Sequence, residues 1–106
     1  MKYIFRITLK AGRTTDEYVA AWEAGSAIIQ RLPGAMGTRL HRAIGQPGVL
    51  LAIATWESKA SRDAAMEHMR KSDLDTQAVW QAPRKIGTSL IIGEYEEPEW
   101  QILPPK

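Results

Sequence analysis

Residues Val49 to Ala54 read Val-Leu-Leu-Ala-Ile-Ala, an apolar run without a polar break. A strand with one wet face alternates polar and apolar residues, because successive side chains point to opposite sides. This run does not alternate, so both of its faces need a cover. The helices that can be read from the chain suffice for one face only. The shortfall points to a self-associating sheet whose second face is closed by another copy of the chain.

The flanking segments supply the rest of that sheet. Tyr3, Phe5, Ile7 and Leu9 recur at period two and predict a first strand, ending at the Lys10-Ala11-Gly12 loop. Thr14 followed by Glu17 has the spacing of a capping box, in which each side chain satisfies the other residue's free backbone N–H. A helix over about Thr15 to Arg31 follows. Tyr18, Ala21, Trp22, Gly25, Ile28, Ile29 and Leu32 fall on one of its faces, and Pro33-Gly34 stops it.

A second strand is predicted over Gly37 to Ile44. Gln46-Pro47-Gly48-Val49 is a type II turn sequence leading into the apolar third strand, which ends near Trp56. Ser58 is placed to cap a second helix over Lys59 to about Lys71, with Ala65, Met66 and Met69 inward. Asp73 or Asp75 starts a short helix through Trp80 that closes before Pro83. The last strand covers Thr88 to Tyr95. Residues 96–106 contain Pro98, Pro104 and Pro105 and read as an extended tail.

The order β-α-β-β-α-β over residues 1–95 is an α+β arrangement, the ferredoxin-like split βαβ with an antiparallel sheet. A two-fold homodimer with the sheets face to face, a dimeric α+β barrel, is the expected assembly.

Composition removes several function classes. The chain has no cysteine, which excludes disulfides, thiolate nucleophiles and Cys-ligated metals. His41 and His68 are too few for a histidine-rich metal site, so no metal or cofactor is read. A net charge of +2, with no basic cluster beyond Arg84-Lys85, is not a nucleic-acid footprint. No apolar stretch approaches a membrane span, and a cytoplasmic location is expected. Asparagine is missing altogether.

Six residues are candidates for a site, and the Arg84-Lys85 pair is weighed beside them. His68, beside the buried stripe of the second helix, is the one imidazole near the presumed pocket and a candidate general base toward a phenol or enol; a partly exposed edge residue is the plainer reading. His41 lies on the second strand, where it faces an inter-subunit sheet cavity in which Arg39 or Arg6 holds an anion, or else has a dimer-interface or surface role. Tyr18 and Trp22 share the inner face of the first helix, where they line a ligand or simply fill the core. Trp80 stands on the short interrupted helix, as a ligand contact on a lid. Phe5 supplies an apolar wall. Arg84-Lys85 attracts an acidic substrate or is an ordinary solvated pair.

Leu32-Pro33-Gly34-Ala35-Met36-Gly37-Thr38 and Ala54-Thr55-Trp56-Glu57-Ser58-Lys59 carry a resemblance. Over residues 1–95 the chain resembles the antibiotic-biosynthesis-monooxygenase-like family of the dimeric α+β barrel superfamily. That resemblance implies a homodimer with one pocket per subunit between sheet and helices. It implies either oxygenation of polycyclic aromatic substrates without metal or flavin, or haem binding and degradation. The oxygenating members use asparagine, tryptophan and tyrosine around a phenolic substrate whose carbanion reacts with oxygen. The haem degraders use an asparagine, a tryptophan and a histidine, and those positions fall here on Phe5, on Ala65 or Met69, and on Val79. None of the three is kept. The amide of the oxygenating pattern is missing too, and no glutamine is expected in the pocket.

Three functions follow from the residues and the resemblance together. One is a cofactor-independent monooxygenase-like protein acting on a small planar aromatic or quinone-like molecule. Another is a non-catalytic dimeric module that binds a small hydrophobic ligand or scaffolds. The third is haem binding without the usual degradative triad.

Overall fold

The computed structural model describes all of residues 1–106. Its elements are β1 (Lys2–Leu9), α1 (Thr15–Ile29), β2 (Ala35–Arg42), β3 (Val49–Trp56), α2 (Lys59–Arg70), α3 (Leu74–Gln81), a 3-10 turn (Ala82–Lys85) and β4 (Gly87–Tyr95). The four strands form one antiparallel sheet in the order β2-β3-β1-β4, which is the ferredoxin-like α+β fold.

Local chemistry accounts for the helix starts. The Thr14 hydroxyl accepts from the Glu17 N–H at 3.2 Å, and the Glu17 carboxylate accepts from the Thr14 N–H at 3.1 Å. Ser58 caps α2 and Asp73 caps α3, each accepting a backbone N–H three residues on. The ends deviate from the sequence expectation where the backbone tightens. α1 stops at Ile29 rather than Arg31, because Arg31 and Leu32 donate three residues back, to Ile28 and Ile29, in 3-10 fashion. β2 starts at Ala35, opposite Trp56, and stops at Arg42. A bulge between Ala35 and Thr38 absorbs the shift, with Gly37 at φ +97. The short helix closes before Pro83 as expected, at Gln81, and Pro83 sits at the head of the 3-10 turn, where its missing N–H costs nothing.

Register sorts the side chains between the two faces, since directly paired residues project to the same side. The row Leu40, Ala52, Phe5 and Ile91 faces the helices. The row His41, Leu51, Arg6 and Leu90 faces the other way, as do Arg39, Ile53 and Ile4. No helix covers that second face, and Leu90 is 55% exposed.

The core gathers Ile7, Tyr18, Leu50, Ala52 and Ile86, with Phe5, Leu9, Ala21, Trp22 and Leu40 against it. Close approach decides one position in it. A Cβ on Gly87 would lie 2.6 Å from Ile7 Cγ2, so only glycine lets β4 begin this near β1. Just 10 of 106 residues are buried, which follows from an open sheet face on one side and a cavity under α1 on the other. Beyond Tyr95 no regular element forms. Glu97 pairs with the N-terminal ammonium at 3.2 Å, while Trp100 and Ile102 stand in solvent.

Candidate functional site

A cavity of about 590 Å³ separates α1 from the helix-facing side of the sheet, within the roughly 300–1,000 Å³ span of small-molecule sites. Strand alternation puts Tyr3 and Phe5 on its floor, and helical spacing puts Tyr18, Trp22 and Ile29 on its roof. Trp80 of α3 closes one side and Trp56, at the end of β3, closes another. The cavity exists because α1 stands off from the sheet. Gly25 brings it instead against the backbone of α3, where a Cβ would meet Val79 O at 3.4 Å and Trp80 Cα at 3.5 Å.

The polar groups of the lining are uneven in charge. Lys10, Arg62 and Arg84 line the cavity, and no Asp, Glu or His does. The Arg62 guanidinium lies 3.9 Å above the Tyr3 ring and 3.4 Å from the Glu94 carboxylate. Arg84 lies 5.6 Å from the centre of the Trp80 ring. Burial pushes the Tyr18 phenol up to about 12, with neighbouring Ser89 drawing it partly back. Tyr18 is therefore a neutral hydroxyl at any physiological pH, a donor for an oxygen of a bound molecule. This lining can enclose a flat apolar ring, donate hydrogen bonds and stabilise negative charge. It holds no group that takes up a proton readily near neutral pH.

Four of the six sequence candidates, Phe5, Tyr18, Trp22 and Trp80, come together around the cavity. His68 does not join them. Arg62 and Met66 form the stripe of α2 that faces the cavity, and His68 follows Met66 by two residues, about 200° around the helix. It borders a second depression instead, against Leu32, Pro33 and Ser61. His41 is exposed on the far side of the sheet, paired with Leu51 in the row that contains Arg6.

Several lining residues were not expected. Gln30 lines the cavity, contrary to the expectation that no glutamine would; its side-chain carbonyl accepts from the Gly37 N–H at 2.7 Å, which orients the amide. The signal for it was its place one residue beyond the inner stripe of α1. Tyr3 and Ser89 share the faces of Phe5 and Ile7 by register, and period two alone marked Tyr3. Arg62 carried no such mark, because a long basic side chain on a helix ordinarily faces water.

Residues 1–78 match the family model for antibiotic biosynthesis monooxygenase. Among solved structures, SnoaB, a cofactor-independent oxygenase from Streptomyces nogalater, aligns with a TM-score of 0.76 at 20% identity, covering 98% of this chain and 96% of its own. PA3566 from Pseudomonas aeruginosa aligns with a TM-score of 0.66 at 14% identity, covering 92% and 93%. An antibiotic biosynthesis monooxygenase-like protein from Bordetella bronchiseptica aligns with a TM-score of 0.63 at 18% identity, covering 90% and 96%. At these identities the likeness speaks for the fold. No curated protein matches the chain.

Proposed function

The chain belongs to the antibiotic biosynthesis monooxygenase family, and from that premise we propose that it is a cofactor-independent monooxygenase acting on a small planar aromatic or quinone-like molecule. The observation that carries this reading is the 590 Å³ cavity walled by Phe5, Trp22 and Trp80 with the Tyr18 hydroxyl among them. A packed core in that space would have favoured a scaffold.

In this reading the aromatic walls stack on the substrate and keep its ring plane fixed. The proton of an acidic ring methylene or phenol leaves to solvent, since no carboxylate or imidazole lines the cavity. The Tyr18 hydroxyl stabilises the resulting anion as a hydrogen-bond donor, and the anion reacts with dioxygen. For a ring methylene the balance is one carbonyl and one water per dioxygen: two C–H bonds and the O–O bond break, the substrate is oxidised and dioxygen is reduced. His68 takes no part, because it faces away from the cavity.

The assembly belongs to the same proposal. Val49, Leu51 and Ile53 of β3, with Ile4 and Leu90, form an apolar face that no element of the chain covers. A second copy closing it gives the two-fold barrel. No helix is long and apolar enough to cross a membrane.

The missing proton acceptor favours a second reading, a dimeric module that binds the same ligands without turnover. Haem binding draws no support from an imidazole, since both histidines lie outside the cavity. Oxygen-electrode measurements with anthrone, a tricyclic ketone with an acidic methylene, separate the readings. Enzymatic turnover consumes one dioxygen per anthraquinone formed, above the buffer rate. Saturable binding with no added oxygen uptake would move the assignment to the binding module.

A further inference from the structure

The chain has nearly as many acidic residues as basic ones, 12 against 14. Its cavity lining takes three of the bases and none of the acids. The three are not equivalent. Arg62 is paired with Glu94, stacked on Tyr3, and only 19% exposed in its side chain. Its charge is committed within the protein. Lys10 and Arg84 enter none of the ion pairs of the structure. Backbone pairing holds these two together. Leu9 is opposite Gly87, the Lys10 N–H donates to Ile86 O at 2.9 Å, and Arg84 lies two residues before Ile86. They mark one end of the cavity. The Tyr3 and Arg62 end is seven residues away along an extended strand, roughly 23 Å.

We propose that this end is an anion subsite, and that the cavity selects planar aromatics bearing a carboxylate, held between the Lys10 ammonium and the Arg84 guanidinium. The inference rests on reading the cavity as the aromatic-ligand site, and it names which aromatics enter. The Arg84 guanidinium lies over the Trp80 ring, 5.6 Å from its centre, and its planar fork matches the two carboxylate oxygens. The ring then extends under Tyr18 and Trp22, with the reacting carbon away from the anchored carboxylate.

The test compares 9-anthracenecarboxylate with 9-anthracenecarboxamide, uncharged and of nearly the same shape, by quenching of tryptophan fluorescence. The wild-type chain should bind the carboxylate roughly fivefold to tenfold tighter, with the preference shrinking as salt rises. The Lys10→Gln/Arg84→Gln double variant should bring the ratio of the two affinities toward one. Lys10→Arg/Arg84→Lys should keep a preference for the carboxylate. Circular dichroism establishes that each variant is folded. Equal wild-type affinities, or a preference that survives in the double glutamine variant, overturn the anion subsite and leave the aromatic site standing. Binding of neither probe overturns both.

Discussion

Gly25 of α1 and Trp80 of α3 meet backbone to backbone, with room for little more than a methyl group between them. This contact fixes α3 at the edge of the cavity and keeps the Trp80 ring in its wall. A Cβ at position 25 falls at 3.4–3.5 Å from Val79 O and Trp80 Cα, ordinary van der Waals distance. Gly25→Ala should therefore stabilise the chain by about 0.5–1 kcal/mol through helix propensity. The expected rise in Tm is a few degrees, read by thermal denaturation. Gly25→Leu should push α3 outward and weaken binding of aromatic probes, read by fluorescence titration.

The buried phenol of Tyr18 predicts a pH dependence of stability. Its folded pKa of about 12 lies above the ordinary value of 10. Below pH 10 both folded and unfolded chains keep the proton and stability is level. Between pH 10 and 12 only the unfolded chain ionises, so stability falls by roughly 2 kcal/mol. Wild-type Tm should drop across this window more steeply than that of Tyr18→Phe. Parallel curves would show that Tyr18 ionises as an exposed tyrosine does.

Ile53 lies at the centre of the uncovered sheet face, opposite Arg39 on one side and Ile4 on the other. A lysine there costs the lone protomer little, because its head reaches solvent. In a closed barrel it would be buried beside a like charge. Sedimentation velocity at micromolar concentration should give a dimer for the wild type and a protomer for Ile53→Lys, with unchanged far-UV circular dichroism.

His68→Ala should leave both aromatic-probe affinity and any oxygen uptake at wild-type values, since the imidazole borders the Ser61 depression. A tenfold loss in either would return it to the chemistry.

Gly34 has φ +85, and a Cβ there would clash with Ser61 Cβ at the start of α2. Gly34→Ala meets both backbone strain and this clash. It should lower stability by about 2 kcal/mol or more, seen as a lower urea midpoint at unchanged m value.

Sequence reasoning reached furthest where interactions are short-range. Thr14 and Glu17 are three residues apart, and their reciprocal bonds need nothing beyond the helix they start. The two-sided apolar character of Val49–Ala54 likewise needs only alternation, and it marked the face that the chain leaves open. Ser58 as a cap and Gln46-Pro47-Gly48-Val49 as a turn were legible for the same reason, with Gly48 at φ +78.

The site was legible in part. Phe5, Tyr18, Trp22 and Trp80 are bulky, and they sit on stripes that periodicity reveals. His68 and Met66 were harder to separate, because α2 carries alanines at positions 60, 64 and 65 and its apolar stripe has soft edges. A rotation of two residues decides which of the pair meets the cavity. Local pattern cannot supply that angle; the packing of Ala65 and Met69 into the core does.

The order of elements along the chain, the caps and the uncovered face were thus written in neighbouring residues, since period and turn chemistry act over a few positions of chain. The cavity was not. Its volume, the pairing that turns Arg62 inward, and the nearness of Lys10 to Arg84 depend on contacts between residues 32 to 76 positions apart. Such contacts are set when whole elements pack, and the residues at either end carry no trace of their eventual partner.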